Sequence, residues 1–266
     1  GADGVPEPQL PQRDPSTHVH LLRPSRSSPA PGAVSRATRL PPSLTGRLSP
    51  VATPGVQEAS WGVVVPVKRL AIAKSRLAGY GERSRQELAL AFACDVVSAA
   101  LGCPLVVEVL VVTDDETAAA ALTGLGASVA PDDPDDGLNP ALAHGAELLR
   151  ARRPGLGVVT VSSDLPALRP EDLATVLGAV GAGRRAFVAD SAGTGTTLLA
   201  ASAPAALAPS YGPGSRDRHA ASGAVQLQGT PALRRDVDTP EDLREALALG
   251  VGARTSAACA ALPVPR

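Results

Sequence analysis

A valine-rich run at 62–67 is the feature that most constrains the fold of this chain. Three successive valines, then a proline and a fourth valine, suit a buried strand of a parallel sheet. The loop that follows carries four cations: Lys68, Arg69, Lys74 and Arg76. Ligands of open α/β sheets bind just outside the carboxyl ends of strands, so this loop indicates an anionic ligand, most simply a phosphate. The alternative is a basic surface loop that only faces solvent.

From residue 61 onward, predicted strands alternate with predicted helices. Further strands are expected at 105–112, 157–162, 185–189 and 198–201, and short ones at 127–130, 224–227 and 233–237. The helices are expected at 84–101, 116–125, 140–150, 170–180 and 239–250. Ser84 and Glu87 have the spacing of a capping box at the start of the first helix. This order predicts an α/β fold, a three-layer sandwich around a mostly parallel sheet with a late antiparallel excursion.

The segments on either side of this alternation have a different composition. Residues 1–60 hold eleven of the 26 prolines and show no hydrophobic period. Such a segment buries too little apolar surface to offset its ordering entropy, so we expect a disordered extension. Residues 61–252 form the predicted domain, and the alanine-rich residues 253–266 are expected to be a loosely held tail.

Charge and composition limit the classes of partner. The net charge of −1 gives no reason to expect nucleic acid or an anionic membrane, and aromatic residues make up only 2% of the chain. No run of 18 apolar residues is present, and the first 30 residues lack the apolar segment of a signal peptide. Three cysteines without metal-like spacing suit a cytoplasmic protein. The sequence leaves the oligomeric state open, with a homodimer as one option.

Asp164 is the sharpest single candidate for chemistry. It follows the predicted strand at 157–162, where a carboxylate lies over the sheet edge and can hold a divalent metal that bridges phosphates. The alternative is an aspartate that only caps the turn before the next helix.

Asp236 and Asp238 form the second candidate. If residues 233–237 are a strand, positions two apart share a face, and two neighbouring carboxylates favour a cation between them. A hard metal such as Mg²⁺ is the simplest choice. The alternative is that Asp238 only caps the helix that starts near Thr239.

Weaker signals come from loops. The turn at 193–196 offers backbone N–H groups and hydroxyls for an anion, and the turn at 211–215 is similar. The aspartates at 132–136 match no calcium loop and favour a solvated segment. Asn139 is a candidate for reading a base edge, His144 is interpreted as a helix residue, and His219 is left open. No nucleophile-elbow, P-loop or dinucleotide-binding motif is present.

Taken together, these segments resemble a known family, the phosphoenolpyruvate / 2-phospho-L-lactate guanylyltransferases of coenzyme F-420 biosynthesis. The resemblance runs in order from about residue 61 to 252. The motifs that carry it are VPVKRLAxAKSRL, SSDLP, FVADSAGTGTT, YGPGSRDRH, SGAV and DVDTPEDL.

The resemblance implies a Rossmann-like nucleotidyltransferase sandwich and the transfer of GMP from GTP to the phosphate of phosphoenolpyruvate, with release of pyrophosphate. It assigns Mg²⁺ to Asp164, Asp236 and Asp238, the small phosphorylated acid to Thr196, Gly212 and Ser215, and the nucleotide to Lys68, Lys74 and Arg76. Lys74 and Asp164 are the expected catalytic residues. A phosphate nucleophile is already ionised near neutral pH, so the reaction needs electrostatic stabilisation more than a strong base.

Two alternatives stay open. One is a nucleotidyltransferase of the same fold with another acceptor, such as 2-phospho-L-lactate, 3-phosphoglycerate or a molybdopterin. The other is a catalytically idle nucleotide-binding relative, although such a protein has no need of three carboxylates placed for a metal.

Overall fold

The computed structural model describes residues 60–133 and 136–262. The predicted extension at 1–60 therefore lies almost wholly outside the described residues. The described strands are β1 (Trp61–Pro66), β2 (Val106–Val112), β3 (Ser128–Ala130), β4 (Gly157–Val161), β5 (Arg185–Ala189), β6 (Thr196–Ala201) and β7 (Val225–Gln226). The described α-helices are α1 (Glu82–Gly102), α2 (Glu116–Thr123), α3 (Leu138–Arg152), α4 (Pro170–Gly178), α5 (Ser215–Ala221), α6 (Pro231–Arg234), α7 (Pro240–Leu249) and α8 (Ala253–Ala260).

The strands form one sheet in the order β3-β2-β1-β4-β6-β5-β7. Every pairing is parallel except those of β6, which runs antiparallel to both β4 and β5. Strand β6 therefore begins at the edge where β1, β4 and β5 end. This arrangement confirms the predicted α/β sandwich with a mostly parallel sheet.

Helices cover both faces of the sheet because its central strands are apolar on both sides. On β1, the side chains of Val63 and Val65 pack against α1, α2 and α4, and the Val64 side chain packs on the opposite face against α3. These three valines have no exposed surface. Apolar positions on successive residues are what a parallel strand between two helical layers requires.

A third, smaller core lies between α1, α7 and the 3₁₀ helix Ser75–Tyr80 that follows the cationic loop. Its fully buried members include Leu77 from the 3₁₀ helix and Val237, which lies between Asp236 and Asp238. This satellite core therefore brings the cationic loop and the second aspartate motif to the same place.

Several expected elements differ in the structure. The first helix begins at Glu82 after Gly81, whose φ of 86° a glycine adopts without strain, so Ser84 is not its cap. Residues 233–237 are not a strand, because Pro231 and the Thr230 cap start the short helix α6 there. The segment 203–223, expected to be irregular, contains α5.

The predicted loose tail beyond residue 252 was also wrong for most of its length. Residues Ala253–Ala260 form α8, and the buried Asp95 of α1 accepts hydrogen bonds from the backbone N–H groups of Arg254 and Thr255. This carboxylate satisfies two of the unpaired donors at the helix start, so it fixes α8 to the domain. Among the described residues, no helix combines the length and the apolar character needed to span a bilayer.

Candidate active site

Lys74 is the centre of the site, because its ammonium group binds two carboxylates from distant parts of the chain. Its Nζ donates to Asp164 Oδ2 and, at 2.9 Å, to Asp238 Oδ1. The Lys74 side chain is 12% exposed. Burial alone would lower the pKa of Lys74, but the two carboxylates outweigh it and the pKa lies above its ordinary value. The ammonium therefore stays charged at neutral pH.

The loop that carries Lys74 is held by contacts with α1 and α2. Arg85, a buried residue of α1, donates to the backbone carbonyls of Ala71 and Ala73. Asp115, at the start of α2, accepts the Leu70 N–H at 2.8 Å. These bonds fix a segment in which Lys74 adopts a φ of 54°, a conformation that non-glycine residues rarely adopt.

The two carboxylates that bind Lys74 are joined through the backbone. The N–H of Val237 donates to the Asp164 carbonyl at 3.0 Å, so the end of β4 and the loop before α7 lie side by side. Thr239, and not Asp238, is the N-cap of α7, with Asp242 completing the capping box. The Asp238 carboxylate is therefore available to cations, and the alternative that Asp238 only caps this helix is wrong.

One carboxylate oxygen of Asp164 is free to accept a further bond. Its Oδ1 atom is buried and has no hydrogen-bond partner in the described chain. A buried carboxylate oxygen without a partner is costly, and a cation ligand would remove that cost. This is the property expected of an oxygen donor to a hard metal.

Asp236 lies close enough to Asp164 and Asp238 for their charges to act on its carboxyl group. Burial, followed by the charges of Asp164, Asp238 and Asp190, raises its pKa to about 7. It therefore holds a proton for part of the time near neutral pH. No group of three or more Asp, Glu, His or Cys side chains is preassembled for a metal within residues 60–133 and 136–262. The two carboxylates on Lys74 thus form the core of the candidate metal site, with Asp236 next to them.

The glycine-rich turn before β6 has a different role from the predicted one. The N–H groups of Thr194 and Gly195 donate to the Asp190 carboxylate at 2.9 and 2.8 Å. The predicted anion site at 193–196 is thus filled by the protein's own aspartate. A side chain at Gly195 would collide with the same carboxylate, which explains the glycine. This turn fixes the position of Thr196 at the start of β6.

At the start of β6, Thr196 forms a buried, neutral hydrogen-bonded group with Ser215 and His219. Thr196 Oγ1 lies 2.9 Å from His219 Nδ1 and accepts from Ser215 Oγ at 3.2 Å. Nε2 of His219 accepts the Ser210 N–H at 3.0 Å. Burial, with the charges of Arg185 and Arg218, lowers the His219 pKa to about 4, so the ring is neutral.

The loop between β6 and α5 is tied down on both sides. Asn139 Oδ1 accepts the Tyr211 N–H at 2.6 Å, and its Nδ2 donates to the Tyr211 carbonyl at 3.1 Å. Arg218 donates to the carbonyls of Ser210 and Pro213. Gly212 lies between these anchors at a φ of 123°. The structure thus uses the Asn139 amide to position this loop, and its proposed reading of a base edge stays a prediction.

The remaining predicted cations lie nearer the surface. Arg76 is 3.5 Å from Asp238 Oδ2 with its side chain 73% exposed, and Lys68 is exposed. Arg69 pairs with Asp114, which follows β2, and so lies away from the Lys74 pair. Arg76 and Lys68 remain candidates for binding an anionic ligand, whereas Arg69 has a structural partner.

A cavity of about 400 Å³ lies between α6 and α7, away from these groups, and its lining includes two arginines. Arg234 donates to the Ala189 and Asp190 carbonyls, and Arg235 pairs with Asp242 and Glu245. The guanidinium donors of both arginines are already engaged within the protein, so we assign no ligand there.

Comparison with known proteins decides the family. Residues 61–259 match the family described as guanylyl transferase CofC like. The chain belongs to this family. Two curated relatives are named phosphoenolpyruvate guanylyltransferase. The Thermomonospora curvata protein is 57% identical over 208 residues, covering 77% of this chain and 91% of the relative. The Streptomyces scabiei protein is 57% identical over 212 residues, covering 77% and 98%.

Among solved structures, the crystal structure of a 4-diphosphocytidyl-2C-methyl-D-erythritol synthase superposes with a TM-score of 0.51 at 14% identity. The match covers 72% of this chain and 99% of that protein. At this identity the likeness shows the fold alone, a nucleotidyltransferase sandwich, in agreement with the strand order above.

Three polar residues of this guanylyl transferase fold were missed from the sequence. Asp190, which follows β5, has no predicted role of its own, and His219 is left open by the sequence. Thr197, next to the predicted Thr196, is 1% exposed and its hydroxyl has no hydrogen-bond partner in the described chain. The position of Asp190 after a strand was a usable signal. The other two depend on how β6 and α5 pack together.

Proposed function

We propose that this protein transfers GMP from GTP to the phosphate of phosphoenolpyruvate and releases pyrophosphate, as a step of coenzyme F-420 biosynthesis. The observation that carries the proposal is Lys74 bound to both Asp164 and Asp238, at the sheet edge where the Thr196–Ser215 pair also lies. Relatives with that activity in their names are 57% identical over nearly their whole length, which supports the same substrates here.

The bonding changes suit the groups that are present. A phosphate oxygen of the acceptor attacks the α-phosphorus of GTP, a new P–O bond forms, and the bond from the α-phosphorus to its bridging oxygen breaks. Pyrophosphate leaves with the electron pair of that bond. The acceptor phosphate has a second pKa of about 6, so the nucleophile is ionised at neutral pH without a protein base.

The chain's task is then to hold two polyanions together and in line. In the proposal, Lys74 and Arg76 bind the triphosphate, with Lys68 at the outer end of the same loop. A buried ammonium stabilises developing negative charge more strongly than an exposed one, because water screens it less. Lys74 is therefore the residue expected to act on the leaving pyrophosphate.

The donor set fits a hard cation, and Mg²⁺ is the proposed one. Asp164 and Asp238 already share one positive charge, and the unpartnered Oδ1 of Asp164 is a spare oxygen ligand. Asp236 would complete the set on losing its proton. When bound, Mg²⁺ supplies charge neutralisation and orientation of the phosphates. With a metal held by these carboxylates, the Lys74 ammonium would no longer be their only counter-ion and would be free to bind the triphosphate.

The acceptor half of the proposed site consists of Thr196, Ser215 and the Gly212 loop. These groups are neutral, which suits an acceptor that must come close to another polyanion without being neutralised by a tight ion pair. Three free cysteines suit the reducing cytoplasm in which we place the protein.

The test is pyrophosphate release from GTP and Mg²⁺ with each acid in turn: phosphoenolpyruvate, 2-phospho-L-lactate and 3-phosphoglycerate. We expect release that depends on phosphoenolpyruvate and exceeds release with the other two. Release with another acid alone would overturn the acceptor assignment, and no release with any acid would favour the idle nucleotide-binding relative. Replacing GTP with ATP in the same assay tests the choice of nucleotide.

A further inference from the structure

His219 is the one fully buried imidazole among the described residues, and the mechanism above does not use it. Its ring lies 5.2 Å from the Tyr211 ring, centroid to centroid, in an edge-on arrangement, and 5.9 Å from the Phe187 ring. Both ring nitrogens are nevertheless hydrogen-bonded. A buried histidine with both nitrogens engaged is held in a single orientation, so its proton positions are fixed by its partners.

The partner of Nε2 decides the tautomer. The Ser210 backbone N–H can only donate, so Nε2 must accept and carry no proton. A neutral ring then has its proton on Nδ1, and that N–H donates to Thr196 Oγ1 at 2.9 Å. Solvent does not compete with these bonds, because His219 has no exposed surface.

The tautomer in turn sets the direction of the two hydroxyls. Thr196 Oγ1 receives the imidazole N–H and also interacts with Ser215 Oγ at 3.2 Å. Nδ1–H cannot accept, so neither hydroxyl proton can be directed back to the ring. The bonds within the group use the imidazole proton and one hydroxyl proton. The second hydroxyl proton is left to point away from the pair, towards an acceptor outside it.

We propose that His219 is a positioning residue. It orients the hydroxyls of Thr196 and Ser215 so that their remaining proton is donated to an anionic oxygen of the phosphorylated acid. This inference rests on the proposed function, since it names how the acceptor half of that site recognises its ligand. His219 does not touch the acid. It acts through Thr196, and the neutral form of its ring is the form that does so.

The experiment is a double-mutant cycle between His219→Phe and Thr196→Val, with the KM for phosphoenolpyruvate, the KM for GTP and kcat measured for each protein. A lost hydrogen bond to a charged ligand group corresponds to about a 10-fold loss or more. We expect each single variant to raise the KM for phosphoenolpyruvate by about that factor and to change the KM for GTP by less than about two-fold. The double variant is expected to match the worse single variant, because both remove the same donor.

Two outcomes would overturn the inference. One is effects of the two substitutions that multiply, which would show that His219 acts independently of Thr196. The other is a folded His219→Phe protein with an unchanged KM for phosphoenolpyruvate. If the wild-type protein releases no pyrophosphate with any acid, the proposed function itself fails. The wild-type assay therefore comes first and separates that failure from a failure of the His219 inference.

Because Phe at a buried polar position can prevent folding, a second pair of variants tests the role of His219 with polar side chains. His219→Asn places an amide N–H near the position of Nδ1, whereas His219→Gln places its amide near Nε2. We expect Asn to retain binding of phosphoenolpyruvate and Gln to lose about 10-fold. Equal binding by the two variants would contradict the proposed role of the Nδ1–H group of His219. His144→Asn, at a half-buried position on α3, is the matched control and should leave both KM values unchanged.

Discussion

The two halves of the candidate site are built on opposite principles. The charged half, Lys74 with Asp164, Asp236 and Asp238, crowds like charges together and leaves a buried carboxylate oxygen without a partner. The neutral half, Thr196 with Ser215 and His219, satisfies both nitrogens of a buried ring. The crowded carboxylates of the charged half are unfavourable until a cation or an anionic ligand changes their contacts. The hydrogen bonds of the neutral half are already formed. A site that joins two polyanions needs both, an adaptable charge centre and a fixed set of donors.

The largest expected effect comes from the charged half. Asp164→Asn removes one of the two charges that share the candidate cation, and we expect turnover to fall by about 100- to 1,000-fold, comparable with the loss of a key transition-state contact. The melting temperature should change little, because the substitution also relieves like-charge repulsion. Steady-state kinetics and thermal melting measure the two effects.

Asp114→Asn is the matched control for that substitution. Asp114 follows β2 as Asp164 follows β4, but it pairs with the exposed Arg69. Turnover of this variant should stay within about two-fold of wild type, since exposed pairs contribute little. A similar loss in both variants would show that any carboxylate at this sheet edge matters and that Asp164 has no special role.

Lys74→Met should separate stability from chemistry. Removing the cation leaves two carboxylates without their shared partner, which should cost about 2–4 kcal/mol of unfolding free energy in the absence of divalent metal. Turnover should fall by about 10- to 100-fold. Urea denaturation with and without Mg²⁺ tests the first part: the metal should stabilise Lys74→Met more than wild type. Equal stabilisation of both would contradict the view that ammonium and metal share the carboxylates. Arg69→Met is the control.

The halves should also respond to pH with opposite signs. The folded pKa of Asp236, about 7, is above its unfolded value, so its contribution to stability falls as pH rises from about 4 to about 7. The folded pKa of His219, about 4, is below its unfolded value, so its contribution falls as pH drops from about 6.5 to about 4.

When one of the two groups is substituted, the pH dependence of the unfolding free energy should therefore show the contribution of the other. Asp236→Asn should become more stable as pH rises from 4.5 to 6.5, by about 2 kcal/mol, because His219 is fully buried. His219→Asn should become less stable over the same range, by about 1–2 kcal/mol because Asp236 is only half-buried. Urea denaturation at several pH values measures both, and slopes of the same sign would contradict the assigned protonation states.

The smallest effect is expected at the edge of the neutral half. Asn139→Ala removes two hydrogen bonds to Tyr211 and loosens the Gly212 loop, so the KM for phosphoenolpyruvate should rise about 3- to 10-fold. The preference for GTP over ATP should stay unchanged. A changed nucleotide preference would instead support the sequence-based prediction that Asn139 reads a base. Asn139→Asp, which keeps the acceptor for the Tyr211 N–H, should show a smaller effect.

The charged half was the more predictable of the two. Asp164 directly follows a strand signal, and Lys74 lies in a cation run after another, so sheet topology alone brings both to one edge. The strand predicted around Asp236 and Asp238 was wrong. The Asp238 carboxylate nevertheless lies beside Lys74, because Val237 is buried and Thr239 caps α7. The neutral half depends on α5 folding back so that His219 meets Thr196. No local period marks a seven-residue helix in a stretch expected to be irregular.

The most direct test of the two-substrate site is ³¹P NMR of a reaction that contains GTP, phosphoenolpyruvate and Mg²⁺. We expect the phosphoenolpyruvate singlet to be replaced by two coupled resonances of a new P–O–P anhydride, with pyrophosphate formed in equal amount. Conversion of GTP to GDP and phosphate with phosphoenolpyruvate unchanged would contradict it, because the site would then transfer a phosphoryl group to water and would not join two phosphates.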